Sequence, residues 1–158
     1  MELNPECIPP CGLYCGVCRI YAATQAGDLA YLERLYKIYA RRMPQLAAAT
    51  PDDLLCDGCL STRRYIFCRQ CAIRDCTQQK ELQSCHQCAD FPCALIDAFP
   101  VPVGRQVILR SIPYWRKFGT HAWVQSEEQR YHCPECGGRL FRGDTNCRHC
   151  QAQVSVDY

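Results

Sequence analysis

The sequence has no leader-like start, no long apolar run and no strong charge of one sign, and each of these features supports a prediction. Its first residues, MELNPECIPPCGLYC, contain neither a basic n-region nor an apolar h-region, so no secretory leader is predicted. No stretch approaches the ~20 apolar residues of a membrane-spanning helix. The 18 Lys and Arg residues nearly balance the 16 Asp and Glu residues, and there is no polycationic tail. These absences predict a cytoplasmic protein without a membrane partner.

Patterns of catalytic residues are missing as well. The sequence shows no Ser-His-Asp arrangement, no glycine-rich phosphate loop and no paired carboxylates. Two of the histidines, His86 and His149, lie inside cysteine pairs, where the middle residues face outward. No enzymatic reaction is therefore predicted, although a histidine within a pair is able to replace a thiolate as a ligand.

Cysteine is what the sequence has in excess, with 16 in 158 residues. Most stand in Cys-x-x-Cys pairs, which turn both sulfurs toward one tetrahedral ion, whereas a disulfide across that spacing closes a small ring. Thiols in a reducing cytosol bind metal more often than they pair. Metal binding is therefore predicted ahead of disulfides. The predicted ligands are Cys11, Cys15, Cys18, Cys56, Cys59, Cys68, Cys71, Cys76, Cys85, Cys88, Cys93, Cys133, Cys136, Cys147 and Cys150.

Metal would also compensate for a small core. Once the cysteines are set aside, the 48% apolar composition is enough for one modest core. A structural zinc site contributes on the order of 10 kcal/mol, which is comparable with the whole stability of an ordinary domain. Removal of metal is therefore expected to unfold parts of the chain.

The most specific spacing lies near the C-terminal end. Cys133-Pro-Glu-Cys136-Gly-Gly and Cys147-Arg-His-Cys150 are separated as in a zinc ribbon, where cysteine pairs on two adjacent hairpins meet at one ion. The glycines allow backbone N–H groups to point at the sulfurs. Zn²⁺ is predicted here, with rubredoxin-like iron as the alternative because four thiolates alone do not select the metal.

Helical periodicity is present in two segments. Apolar residues recur at three- and four-residue steps over 29–39, with Asp28 as the N-cap. A longer element covers about 103–130, with interruptions near Pro113 and Gly119. The predicted fold is a small irregular α+β structure: a metal-stabilised, cysteine-rich domain with a few helices over 1–100, a helical linker over 101–130 and a C-terminal β zinc ribbon over 131–158.

The cysteines before residue 100 contain an internal repeat, in which Cys68-x2-Cys71-x4-Cys76 recurs as Cys85-x2-Cys88-x4-Cys93. The spacing equally allows a partition in chain order and cross-braced groupings, in which the first group of cysteines shares an ion with the last. In the partition by chain order, one ion is bound by Cys56, Cys59, Cys68 and Cys71 and a second by Cys76, Cys85, Cys88 and Cys93.

The cysteines left over form a third motif, Cys11-x3-Cys15-x2-Cys18. Radical-SAM enzymes hold a [4Fe–4S] cluster with one open iron by this spacing, but they need a barrel of about 200 residues. A chain of 158 residues cannot supply that barrel. The trio is instead predicted to belong to a site completed by Cys7 or by a cysteine of another group.

The cysteine pattern as a whole resembles a known family. The runs CGLYCGVCRIY (11–21), LCDGC (55–59), CRQCAIRDC (68–76) and CHQCADFPC (85–93) are similar to an uncharacterised family of cysteine-rich bacterial and archaeal proteins, known as a domain of unknown function. Longer members carry a similar linker and terminal ribbon. The resemblance implies metal binding without an established reaction. Cys7 lies outside the family pattern, which leaves a cluster with one open or non-cysteine position as a hypothesis.

The predicted function is that of a multi-metal protein, mainly zinc-binding, which serves as a structural or interaction module for a protein or nucleic-acid partner. Nucleic acid is suggested only by four arginines around one cysteine group, Arg63, Arg64, Arg69 and Arg74. The alternative is an iron–sulfur redox or electron-transfer protein with an appended zinc ribbon; cysteine density supports it, but the ferredoxin spacing is absent. An enzyme with an open metal site near 11–18 is a third hypothesis.

Overall fold

The computed structural model describes residues 2–43, 46 and 48–158. Within this part of the chain the helices are α1 (Arg19–Gln25), α2 (Leu29–Arg42), α3 (Ile66–Arg69), α4 (Ala72–Gln79), α5 (Ala94–Asp97) and α6 (Pro102–Arg130). Single 3₁₀ turns are formed by Pro5–Cys7, Cys15–Val17, Pro51–Leu54 and Cys85–Gln87. Among the described residues, no helix combines the length and the apolar character needed to cross a membrane.

The predicted α+β fold and its C-terminal β zinc ribbon are wrong. The described part of the chain contains no sheet, and its two antiparallel bridges, His132 with Arg139 and Asn146 with Gln153, are isolated. Each bridge joins the two residues that flank one Cys-x-x-Cys pair, so neither bridge links one pair to the other. The described fold is therefore helical up to Arg130, and the segment that follows consists of turns, irregular chain and these two isolated bridges.

The loss of the ribbon has a physical cause in the loop between the two cysteine pairs. The N–H of Arg142 donates to the carbonyl of Val17 at 3.0 Å, and the N–H of Gly143 donates to the carboxylate of Asp157 at 2.9 Å. A β-strand needs such N–H groups for its neighbouring strand. Because these ones are used elsewhere, the segment is held as a loop against the rest of the protein.

Helix α2 begins at the predicted cap. The carboxylate of Asp28 accepts the N–H of Tyr31 at 2.9 Å, which satisfies a donor that the first helical turn leaves free. The one fully buried side chain described on this helix is Leu32. It packs with Ile20, Ala23, Leu54 and Cys56. Helix α2 thereby ties α1 to the turn that carries Cys56.

Helix α6 folds back on itself at Gly119. This glycine has φ 82° and ψ 171°, whereas the chain stays helical through Pro113. The rings of Trp115 and Trp123 stack with centroids 4.0 Å apart and an interplanar angle of 7°. In a straight helix their backbones would be ~12 Å apart along the axis. The predicted interruption near Gly119 is confirmed, while the one near Pro113 is wrong.

Two further clusters of buried side chains complete the interior of the described residues, and both contain thiols. The larger joins α4, α5 and both halves of α6, and its members are Cys11, Ile73, Cys85, Ile96, Ile108, Ile112, Trp115, Trp123 and Val124. The other lies under the C-terminal segment and consists of Val17, Tyr131, Cys133, Leu140, Cys147, Val154 and Val156. Because cysteines belong to the packed interior, core packing positions their sulfur atoms.

Candidate metal centre

Four sulfur atoms converge in the C-terminal segment. The Sγ atoms of Cys133, Cys136, Cys147 and Cys150 all lie within 4.8 Å of one another. Cys133 and Cys150 are 3.6 Å apart, as are Cys136 and Cys147. Four sulfurs bound to one ion in a tetrahedron at ≈ 2.3 Å are about 3.8 Å from each other, whereas a disulfide needs about 2.05 Å. The geometry therefore fits one tetrahedral ion, and the four residues are free thiols.

The two cysteine pairs use the same turn. In the first, the N–H of Gly137 donates to the carbonyl of Cys133 at 2.8 Å, and in the second the N–H of Gln151 donates to the carbonyl of Cys147 at 2.9 Å. Gly137 and Gln151 follow the second cysteine of their pairs and have φ of 71° and 62°. Glycine adopts such a φ readily, whereas glutamine does so at a cost. The sulfurs are thus aimed by a closed backbone turn.

The centre, defined as these four cysteines, has a buried side and an exposed side. Cys133 and Cys147 are buried in the C-terminal cluster, while Cys136 and Cys150 face solvent. The N–H of His149 lies 3.4 Å from the Cys147 sulfur. Backbone N–H groups of Cys150 and His149 lower the pKa of Cys147 to about 6. These backbone N–H groups favour the thiolate form of this ligand, which is the form that binds metal.

Two arginines attach this segment to the loop that carries Cys15. The guanidinium of Arg139 donates to the carbonyl of Gly16 at 2.9 Å, and that of Arg142 donates to the carbonyl of Tyr14 at 2.8 Å. These arginines were not predicted as functional, because no local pattern distinguishes an arginine that binds a distant carbonyl from a solvated one. The C-terminal centre is consequently fastened to the first cysteine loop.

A second group of cysteines surrounds one small cavity between α4 and α5. The cavity has a volume of about 30 Å³ and is lined in part by Cys76, Cys85, Cys88 and Cys93. The Lys80 ammonium lies 3.8 Å from the Cys88 sulfur. Burial, followed by the charges of Cys88 and Cys93, raises the pKa of Cys85 to about 11. The Cys85 thiol is therefore protonated in the metal-free protein at neutral pH.

The remaining predicted ligands come from three stretches of chain that meet near Cys59. Burial, followed by the charge of Cys59, raises the pKa of both Cys11 and Cys15. Burial, followed by the charges of Cys18 and Cys59, raises the pKa of Cys68 to about 12. The motif at 11–18 therefore lies beside the cysteines that the partition by chain order assigns to the first ion.

In the described part of the chain, only the C-terminal centre has the spacing of a metal site. Among the described residues, no other group of three or more cysteine, histidine or acidic side chains brings its ligand atoms within 4.8 Å of one another. The assignment of the cysteines over 11–93 as ligands stays a prediction, as does the identity of any metal. Cys7 is buried as well.

Arg74 is a buried cation in the middle of the cysteine-rich region, with only 5% of its surface exposed. Its guanidinium donates to the carbonyl of Cys68 at 2.8 Å and to that of Arg69 at 2.7 Å, and it lies 4.0 Å from the sulfur of Cys59. Within the described residues it forms no ion pair with a carboxylate. A buried charge is costly unless an opposite charge lies close by.

The other arginines of the predicted basic group are also engaged. Arg63 pairs with Asp57 at 2.7 Å, and Arg69 pairs with Asp53 at 2.6 Å. Arg64 donates to the backbone carbonyl of Ser61 at 2.8 Å. Local carboxylates and carbonyls, rather than an external phosphate backbone, thus take up much of this positive charge.

Residues 7–98 match a family described as a protein of unknown function, DUF3795. The chain belongs to this family. The match covers more than half of the chain, begins at Cys7, includes every cysteine before residue 100 and ends before α6 and the C-terminal centre. The resemblance to an uncharacterised family is confirmed, and membership carries no reaction with it. No curated protein and no solved structure matches the chain.

Proposed function

We propose that this protein binds several metal ions, chiefly zinc, and that its metal-held surfaces form a structural and interaction module for a protein partner. The observation that carries the proposal is the convergence of Cys133, Cys136, Cys147 and Cys150 within 4.8 Å. Four thiolates that fill a tetrahedron leave no open position for a substrate or for water. This centre is therefore structural, and no catalytic step is assigned to it.

Arg74 supports further metal binding in the cysteine-rich region. If Cys59 and its neighbours stay protonated, the buried guanidinium faces only neutral thiols and carbonyl oxygens. If the sulfurs bind a metal, they are thiolates, and a tetrathiolate site with a divalent ion has a net charge of about −2. A metal site of this kind would supply the negative charge close to Arg74 that no described carboxylate supplies.

Exposed aromatic side chains support the interaction part of the proposal. Tyr114 and Phe118 lie against each other at the bend of α6, with centroids 4.6 Å apart, and are 37% and 50% exposed. Aromatic residues are enriched at protein interfaces. A protein partner is favoured over nucleic acid, because two of the four arginines that suggested nucleic acid are paired with aspartates and Arg74 is buried.

The metal content of the full chain tests the proposal. Protein purified without oxygen should be colourless, contain more than one zinc per chain and carry no acid-labile sulfide. Cys136→Ala should lower the zinc content by one ion per chain, and Glu135→Ala, an exposed residue of the same turn, is the matched control that should leave it unchanged. A chain that binds no zinc, or the same zinc content in Cys136→Ala as in the parent protein, would contradict the proposal.

The iron–sulfur alternative is favoured by one observation, the gathering of cysteines from three stretches of chain around the partly buried Cys59. Cluster-binding proteins use cysteines in low-dielectric surroundings of this kind. In that case the anaerobic protein would be brown and would contain stoichiometric iron and sulfide. The C-terminal centre would keep its own ion, so Cys136→Ala would leave the colour unchanged.

A further inference from the structure

The cavity between α4 and α5 brings together cysteines from three elements. Cys76 lies on α4, Cys85 begins a 3₁₀ turn, Cys88 follows that turn, and Cys93 is the N-cap of α5. All four line the same space of about 30 Å³. In the repeated spacing Cys76 belongs to the earlier triplet, yet the fold places it with the later one.

We propose that Cys76, Cys85, Cys88 and Cys93 bind one zinc ion in a tetrathiolate site of their own, separate from the C-terminal centre. The inference deepens the proposed function and rests on it, since it assigns a ligand set to one of the additional ions. The cavity has room for one or two water-sized species and hence for a single ion. Its walls supply sulfur ligands, which suit zinc.

The charge around the cavity agrees with a thiolate site. The Lys80 ammonium lies 3.8 Å from the Cys88 sulfur and also pairs with Asp90 at 2.7 Å. A cation at this distance stabilises a metal-bound thiolate more than a neutral thiol. Around the sulfurs, Ile73 and Ile96 are buried apolar residues of the wall, so one side of the site is shielded from water.

The sulfurs around the cavity are more widely spaced than those of the C-terminal centre, since the group does not meet the 4.8 Å spacing. Metal binding therefore requires the thiols to close around the ion. Three of the four cysteines lie at the ends of short elements or next to them, where side-chain rotation and small backbone shifts are less constrained than inside a long helix. Binding is expected to order this region together with α5.

The grouping is tested on the unaltered full chain by cysteine protection. Zinc-loaded protein in a mild phosphine reductant is titrated with a chelator, alkylated at each step, and its modified peptides are quantified by mass spectrometry. Cys76, Cys85, Cys88 and Cys93 should become reactive together, in a step separate from that of Cys133–Cys150. If Cys76 becomes reactive with Cys68 and Cys71 instead of with Cys85, the proposed ligand set is wrong.

Substitution provides a second measurement. Cys88→Ala should lose one zinc per chain by native mass spectrometry and keep the ion of the C-terminal centre, whereas Cys88→Ala combined with Cys136→Ala should lose two. An unchanged zinc content in Cys88→Ala, with the expected loss in Cys136→Ala, overturns this inference and leaves the proposed function standing. An unchanged content in Cys136→Ala counts against the proposed function itself. If Cys88→Ala does not fold, the protection experiment decides alone.

Discussion

The guanidinium of Arg74 lies 4.0 Å from the sulfur of Cys59, and only 5% of the surface of Arg74 is exposed. A charge in such a position is stabilised by the groups that surround it, and here these are carbonyl oxygens and sulfur. The contact therefore links the electrostatics of α4 to the protonation and metal state of the neighbouring cysteines. Whether Arg74 raises or lowers the free energy of unfolding should therefore depend on whether metal is bound.

Arg74→Met is predicted to destabilise the metal-loaded protein by about 3 kcal/mol, because it leaves the thiolate charge without its buried partner. In the metal-free protein, where Cys59 is a neutral thiol, the same change should be neutral or slightly stabilising. Chemical denaturation with and without chelator measures both values. Arg63→Met, which removes an exposed arginine paired with Asp57, is the control and should change little in either state. Equal losses with and without metal would argue against the thiolate charge.

Asp53 is predicted to contribute stability that depends on pH. Its carboxylate accepts the N–H of Thr50 at 2.7 Å and pairs with Arg69 at 2.6 Å. The backbone N–H of Thr50, followed by Arg69, holds the pKa of Asp53 below its ordinary value. A carboxylate with a lowered folded-state pKa stabilises the protein above pH ~4, and the contribution is lost as the pH falls through the folded-state pKa.

Asp53→Asn should therefore lower the free energy of unfolding by about 1 kcal/mol at neutral pH, as expected for an impaired N-terminal cap. The difference from the parent protein should shrink as the pH is lowered below 4. Thermal unfolding across this range measures it. Asp52→Asn, in the same turn but without the two bonds, should leave the stability nearly unchanged at every pH. If the stability difference persists at low pH, the shape of the Asp53 side chain rather than its charge is responsible for the stabilisation.

Arg142 is predicted to hold the first cysteine loop in place. Its side chain donates to the carbonyl of Tyr14 and its backbone N–H donates to that of Val17. In Arg142→Met the side-chain bond is lost, so amide hydrogen exchange over 14–18 should become faster, by roughly tenfold for a loss of 1.4 kcal/mol. Arg105→Met, which removes only a surface ion pair with Asp97, should not change exchange in this loop. Unchanged exchange in Arg142→Met would mean that the backbone bond alone suffices.

Gly58→Ala is predicted to disturb the cysteine-rich region more than Gly119→Ala. Gly58 has φ 131°, and a Cβ there would lie 2.5 Å from the carbonyl oxygen of Glu6. Gly119 has φ 82°, but a Cβ there would meet no atom within 4 Å. With ψ of 171°, Gly119 occupies a backbone region that essentially only glycine adopts, so Gly119→Ala should cost backbone strain of about 1–3 kcal/mol without a steric clash.

The clash at Gly58 involves backbone on both sides and has to move the chain between Cys56 and Cys59. Gly58→Ala should accordingly reduce the zinc content of the cysteine-rich region as well as the melting temperature, whereas Gly119→Ala should lower only the melting temperature. Elemental analysis alongside calorimetry separates the two effects. A full zinc content in Gly58→Ala would place the metal sites away from this turn.

Local signals in the sequence predicted local structure well. The cap at Asp28 is observed because an N-cap depends only on residues within one turn, here Tyr31. The break at Gly119 is observed because a positive φ is available to glycine at little cost. Pro113 did not break α6, since its neighbours in the packed helix outweigh one lost backbone bond.

Relationships between distant residues were not predictable from spacing. Arg74 is one of four arginines close together in the sequence, which predicts a basic surface group, yet the packing of α4 places it inside. The C-terminal cysteines have ribbon spacing, but spacing cannot show that the N–H of Arg142 is bound to Val17, 125 residues earlier in the chain. Because this long-range hydrogen bond uses the N–H group, the segment does not form the strand that the ribbon spacing predicts.

The sequence by itself determined that the sulfurs of Cys133, Cys136, Cys147 and Cys150 would converge, because two cysteines separated by two residues are able to turn toward one point. It also determined family membership, which rests on the order of the cysteine pairs over 7–98. Only the tertiary structure decided between the groupings that the spacing before residue 100 leaves open, and it places Cys76 with the later triplet around one cavity. The reason is that partner choice depends on the packing of α4, α5 and the C-terminal loop, and packing is a property of the whole chain.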